Sequence, residues 1–489
     1  MTTTRPAFFG VMDACFLRLT LKEPLPIKWK TNASAVPPCP PALRPRPPTP
    51  PGPAAPATDD ADAAAKRDEW SVVGDGDGAS GAAALTSLRQ HTLTLLNEHS
   101  RTFTVDRWQR AVLPLVLGRY VPLLDHFKDT DGGRDAVWWY WGPSCATVMT
   151  HSAVADVCFE KANVLFNLAT CELRAADALA RGVSAVWASG SPPDAKTAMG
   201  ADDDIRKAYR LLCSAATHFA DGRAAAAEVE RKQSFDAGHR DVVADSTSHF
   251  FAAMAALCLA QAQEIGFHRA LTSGAATGDD STSVARAQPT DGLRARLAAR
   301  CHELFTEAKE HLTKVPHKAN AAQAASGAGQ GVPALRQWCA VQAPLWAAVA
   351  HALAARPKLS EPCDGGSGAA GAPDGPTMAM QHVASARKEL AAAVAAAEDP
   401  VFATAGGGAA LSALFHTPQR CIQHVAAAGG YVTHLCDAMA RINELVHRVK
   451  PAAAEHGRPL PPAQELAKPK ALEPLAPGPP VPAAPAPAA

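Results

Sequence analysis

Histidine, cysteine, glycine and serine are the residues from which a reactive centre would be built, and their spacing here builds none. The 18 histidines include no His-Glu-x-x-His turn, which would place two metal ligands one helical turn apart around a general base. Cys421 and His424 stand three apart and Cys301 adjoins His302, but neither has a second pair at ligand spacing. No metal and no cofactor is expected. The glycines at 406–408 are followed by Ala-Ala-Leu, not by the Gly-Lys-Ser/Thr that closes a phosphate cradle, so they read as a loop. No dinucleotide fingerprint follows a strand. Serine, histidine and aspartate occur together without a nucleophile elbow, so their co-occurrence says nothing and no catalytic residue is assigned. The 12 cysteines are scattered, which favours buried, reduced thiols in a cytoplasmic protein over a disulfide framework or zinc site.

The elements follow from composition and periodicity. The chain has 489 residues, 47% hydrophobic, with 47 Lys plus Arg against 47 Asp plus Glu. That balance argues against a protein built to grip nucleic acid. Alanine abounds and aromatic residues are only 6%, which favours helix over a β-sandwich or barrel. No uninterrupted apolar run reaches the roughly 18 residues that span a bilayer, and the N-terminus lacks a secretory signal pattern. Residues 16–22 alternate: Leu17, Leu19 and Leu21 face one way, Arg18, Thr20 and Lys22 the other, as on a half-buried strand. Helical stripes follow at steps of three and four: Ile205, Ala208, Leu212, Ala215, Phe219; Phe251, Met254, Cys258, Gln261, Ile265; Leu293, Leu297, Cys301, Leu304, Ala308. Loop-type composition separates them at 189–194, 272–290, 325–331, 364–376 and 406–408. The reading is all-α in four parts. Residues 1–30 hold the first strand, 31–67 a Pro/Ala-rich disordered insertion, 68–450 the helical body, and 451–489 a Pro-rich tail.

One stretch is distinctive. Phe159-Glu160-Lys161-Ala162-Asn163-Val164-Leu165-Phe166-Asn167-Leu168-Ala169 resembles the signature of the Bro domain, and Leu259-Ala260-Gln261-Ala262-Gln263-Glu264 resembles that family's "LAQAQE" segment. Residues 208–219 look like the helix between the two, and 16–22 like the opening strand. The nearest architecture is that of Brox-type members, nearly bare Bro domains, although the final Ala486-Pro487-Ala488-Ala489 is no prenylation box. The resemblance implies a boomerang-shaped domain with a tetratricopeptide-like helical core and a small N-terminal β-sheet. It implies a non-catalytic adaptor in endosomal sorting and membrane remodelling, cytoplasmic and recruited to endosomes. The implied partner is the C-terminal amphipathic helix of ESCRT-III subunits.

Such a partner lays apolar residues at i, i+3, i+4 and i+7 into a hydrophobic patch. The resemblance places that patch at Leu293 and Leu297, one turn apart, and at an aromatic just after "LAQAQE". Here Gly266 stands at the aromatic position with Phe267 beside it. Leu293, Leu297 and Phe267 can equally be core residues; their joint exposure would separate the readings. Glu160, Lys161 and Asn167 read as structural, and Gln261 and Gln263 as satisfying neighbouring helices. The aromatic run Trp138, Trp139, Tyr140 and Trp141 reads as core packing, or as a surface for a membrane or partner. A basic patch could also hold the protein on membrane phosphates. The alternative is a signalling scaffold without ESCRT-III binding. Arg44, Pro47 and Pro50 give a basic residue followed by prolines three apart, which suits polyproline-II docking to Pro-recognition domains.

Overall fold

Aromatic residues fit a pleated, half-buried surface, and the run Val137–Trp141 forms a strand. A computed structural model describes residues 22, 28–29, 81–130, 133–142, 152–188, 195–235, 244–275, 290–316, 331–360, 375–398, 418–447, 459–463, 468 and 470–473. The expected strand at 16–21, the insertion at 31–67 and the motif Arg44, Pro47, Pro50 lie outside the described residues. The chain forms two units, one of Pro24–Trp141, Ser152–Lys161 and Leu472–Ala489, the other of the remainder.

The smaller unit holds a three-stranded antiparallel sheet: β1 (Lys28–Trp29), β2 (Val137–Trp141) and β3 (Ser152–Val154), with β2 central. Lys28 pairs with Trp138 and Trp139 with Val154. Along β2, Val137, Trp139 and Trp141 are buried while Trp138 and Tyr140 are half-buried. The aromatic cluster is core, and it enters the expected helical body as a strand. Helix α1 is Gly81–His99. Helix α2 follows as Val105–Arg107, π-helical Trp108–Val112, Leu113–Leu115, π-helical Val116–Tyr120, then Val121–Asp129. Each π-helical turn comes just before a proline, Pro114 or Pro122. Proline offers no N–H and its ring crowds the carbonyl four residues back, and a wider turn relieves both.

At the centre of this unit lies Glu160, on the first turn of α3 (Val157–Ala188). Its carboxylate is 0% exposed and accepts from Arg89 Nε (2.8 Å), Tyr120 OH (2.7 Å) and Trp141 Nε1 (2.6 Å). Burial pulls the Arg89 guanidinium pKa down, but the charges and hydrogen bonds of Glu160 and Tyr120 together outweigh it and the net shift is upward. Burial drives Tyr120 well above its usual value. A buried carboxylate is tolerated only when its lone pairs are filled, and here α1, α2 and β2 each supply a donor. Lys161 meets Asp125 at 2.7 Å on α2, so both signature residues act as expected.

The larger unit stacks its helices in sequence: α4 (Ala195–Phe235), α5 (Ser248–Ala275), α6 (Asp291–Lys314), α7 (Gly331–Leu359), α8 (Gly375–Ala397) and α9 (Pro418–Ile442). Each of α4 to α8 packs on the next, and α9 packs on α7 and α8, the tetratricopeptide-like arrangement expected. Windows of α5 and α7 are apolar and long enough to cross a membrane, yet 83% of each lies inside the protein, so their hydropathy is that of central core helices. Phe166 meets Phe219 and Phe251 edge-on at 5.6 and 5.9 Å. Gly222 lets Phe251 lie against α4: a Cβ there would come within 2.5 Å of the ring.

Lys22, expected on an outward strand face, is 1% exposed. Its ammonium donates to Asn163 Oδ1 (2.8 Å), Ser246 Oγ (2.8 Å) and the Asp245 carbonyl (2.9 Å), with the Asp245 carboxylate at 3.4 Å. It also lies 4.7 Å from the Phe166 ring centre. Asn167 binds the Lys22 backbone twice, accepting from its N–H at 2.8 Å and donating to its carbonyl at 3.1 Å. Within the stretch expected as a Pro-rich tail, the Lys470 N–H donates to the Cys213 carbonyl on α4 at 3.2 Å.

Two predictions follow from these buried polar groups. Glu160→Gln strands the Arg89 guanidinium, and urea unfolding followed by tryptophan fluorescence is expected to show a loss of about 3 kcal/mol or more. Adding Arg89→Met to Glu160→Gln is expected to cost less than the two single changes summed. The second concerns His351 on α7, whose Nδ1 lies 3.0 Å from His382 Nδ1 on α8. Burial, then the neighbouring His382 and His302, lower its pKa to about 4. The unfolded chain therefore binds the extra proton between that value and about 6.5. This contribution is complete above that window and is lost as pH falls through it, by at most about 2 kcal/mol at pH 5. His351→Gln is expected to flatten the pH dependence of the melting temperature between pH 7 and 5.

Candidate protein-docking site

The "LAQAQE" segment lies in the middle of α5, where the helix is apolar nearly all round. Its polar residues face neighbours. Gln263 is 0% exposed and its Nε2 donates to the Leu297 carbonyl of α6 at 3.4 Å. Glu264 Oε1 accepts from Trp346 Nε1 of α7 at 2.9 Å. Burial raises the Glu264 carboxyl pKa to about 8, against a smaller lowering by that hydrogen bond. Arg294 of α6 donates to the Ala270 carbonyl of α5 through Nε (3.1 Å) and Nη2 (2.8 Å). With Gln263 beside Leu297 and Ala270 beside Arg294, α5 and α6 run antiparallel. Gly266 and Phe267 sit between the two ties.

The structure thus brings the expected residues to one seam but does not expose them together. Leu297 and Phe267 are 0% exposed, whereas Leu293 is 37% exposed and Gly266 is half-buried. Phe267 turns inward and meets the Trp346 ring edge-on, centroids 5.0 Å apart at 84°. That contact gives the ring a partner inside the fold, so it does not stand in at the surface for the aromatic missing at Gly266. Leu293 and Leu297 share a face, but Leu297 lies a turn deeper against α5. Leu293 sits in the first turn of α6, beside Gly292, where a Cβ would meet nothing within 4 Å among the described residues. The expectation of a shared surface patch is corrected to one exposed leucine on an open rim.

The outward stripe of α6 then runs Leu293, Arg296, Arg300, Glu303, Glu307, Glu310 and Lys314, at steps of three and four. Sequence reasoning followed the inward stripe of this helix and missed the outward one. The signal was available: these charged positions complement the apolar positions of the same helix.

The interior holds one arrangement of catalytic residue types that spacing did not reveal. Ser214 Oγ donates to Glu172 Oε1 at 2.9 Å, and His218 Nε2 lies 3.6 Å from that oxygen. All three are at most 1% exposed. Among the described residues no three His, Cys, Asp or Glu side chains gather as metal ligands. Cys301 is fully buried and His302 Nδ1 lies 2.9 Å from the Ala343 carbonyl. The side chains of Cys421 and His424 lie outside the described residues. The described cysteines are free and buried, and burial pushes the Cys171 and Cys339 thiols up to about 12.

Several solved structures resemble the chain, three of them as follows. An ALIX BRO1 CHMP4C complex is 12% identical, covers 94% of this chain and 96% of its own, and gives a TM-score of 0.49. ALIX in complex with the SIVmac239 PYKEVTEDL late domain is 14% identical over 80% of this chain and 44% of its own, at 0.43. A Bro1 domain described for endosomal targeting is 11% identical over 78% and 83%, at 0.42. A comparison with curated proteins finds no match. The BRO1-like domain family matches residues 121–447, a span that takes in the Glu160 signature, the "LAQAQE" helix and every helix stacked after it. The chain belongs to the BRO1-like domain family.

Proposed function

We propose that the protein is a non-catalytic, ESCRT-associated scaffold that binds the C-terminal amphipathic helix of an ESCRT-III subunit. It works in endosomal sorting and membrane remodelling, from the cytoplasm and at endosomes. Family membership supports the scaffold role. The observation that carries the docking site is the exposed Leu293 beside Gly292, at the start of a helix tied to "LAQAQE" by Gln263 and Arg294. Leu293 offers the apolar contact, and the open space over Gly292 lets a partner's backbone come close. With a single exposed leucine, the contact is expected to be of modest, micromolar strength.

The test is a fluorescence-anisotropy titration of the full chain with C-terminal peptides from ESCRT-III subunits. Leu293→Asp is expected to weaken binding at least about tenfold, the scale of burying a charge in an apolar contact, with the melting temperature unchanged. Leu297→Asp, by contrast, puts a charge into the core and is expected to destabilise the fold by about 3 kcal/mol or more. Binding by the native chain that Leu293→Asp leaves intact would remove this site.

A further inference from the structure

Resting on the docking site just proposed, we infer that Arg296 sets the direction in which an amphipathic partner helix binds, by pairing with a carboxylate within one turn of the residue seated on Leu293. The inference comes from the charges beyond that leucine. Arg296, one turn further along α6, is exposed and makes no ion pair or hydrogen bond with the described residues. Arg300 follows and donates to Glu303 at 2.8 Å. Glu303, Glu307 and Glu310 come next, all exposed, before Lys314 in the last turn. The stripe is basic next to Leu293 and acidic from Glu303 to Glu310, with Lys314 closing it.

A surface of this kind selects by charge and by direction. Carboxylates near the apolar anchor gain Arg296, and at an exposed site such a pair adds modest affinity and a faster encounter. Carboxylates further along meet the three glutamates and are repelled. The acidic side of the ligand must therefore lie at the Gly292–Leu293 end. No N-terminal amide of α6 is needed, because the recognition uses the side of the helix. The open space over Gly292 permits the close approach that brings a carboxylate to Arg296.

The experiment uses the full chain, the C-terminal peptide of an ESCRT-III subunit, and a copy in which each Asp and Glu beside its apolar row is replaced by Lys. The native chain is expected to bind the Lys copy about fivefold more weakly, a gap that narrows as salt rises from 50 to 500 mM. Arg296→Glu is expected to weaken the parent peptide by a similar factor and to restore part of the affinity for the Lys copy. Circular dichroism melting should be unchanged, since the side chain is exposed. If Leu293→Asp abolishes binding while Arg296→Glu and peptide charge change nothing, the docking site stands and the Arg296 inference is overturned. If Arg296→Glu weakens binding and Leu293→Asp does not, the apolar docking reading fails and Arg296 remains as the contact. Binding of no ESCRT-III peptide overturns both.

Discussion

A polar side chain removed from water must be given its hydrogen bonds, and this requirement organises the fold around α3. The helix is buried along most of its length, yet it carries Glu160, Asn163 and Asn167 at 0%, 0% and 3% exposure. Each is satisfied by a segment distant in sequence. Glu160 gathers Arg89, Tyr120 and Trp141, while Asn163 and Asn167 gather Lys22. Loss of one partner leaves another buried group unpaired, which is more costly than the pair is favourable. The polar signature residues therefore act as addresses for chain segments that have little hydrophobic surface of their own.

The same logic governs the candidate docking seam. Gln263 and Glu264 spend their hydrogen-bonding capacity inside, on the Leu297 carbonyl and the Trp346 indole. Phe267 is drawn inward by Trp346, and Leu297 is held under α5. What remains for a partner is the first turn of α6: an open glycine, one leucine and the arginine that follows. In the docking proposed for this seam, a small apolar contact beside a charged stripe leaves selectivity resting heavily on electrostatics.

The helical body was legible in the sequence because its stripes are long and periodic, and a period of three to four residues has one structural meaning. The signature residues were legible through their resemblance to the Bro domain. The strand Val137–Trp141 was not, since five consecutive large residues carry no alternation of polarity; only the sheet makes them alternate. Lys22 misled for the opposite reason. Its polarity fitted an outward face, and residues 141 to 224 positions away supply partners that bury it. Leu293 and Leu297 share a spacing, and their different fates depend on where α5 ends relative to α6, which periodicity does not encode. The charges on the outer stripe of α6 were visible throughout, but a charged stripe is also what any solvated helix face carries.

The most direct test of the docking seam is hydrogen–deuterium exchange of the full chain, alone and saturated with an ESCRT-III C-terminal helix. The first-turn amides of a helix lack intrahelical acceptors and exchange quickly, so a partner lying over them is readily seen. The account predicts slowed exchange at the start of α6, from Asp291 through Arg296, with little change in the middle of α5. Protection confined to other segments, with the start of α6 exchanging as in the free chain, would contradict it.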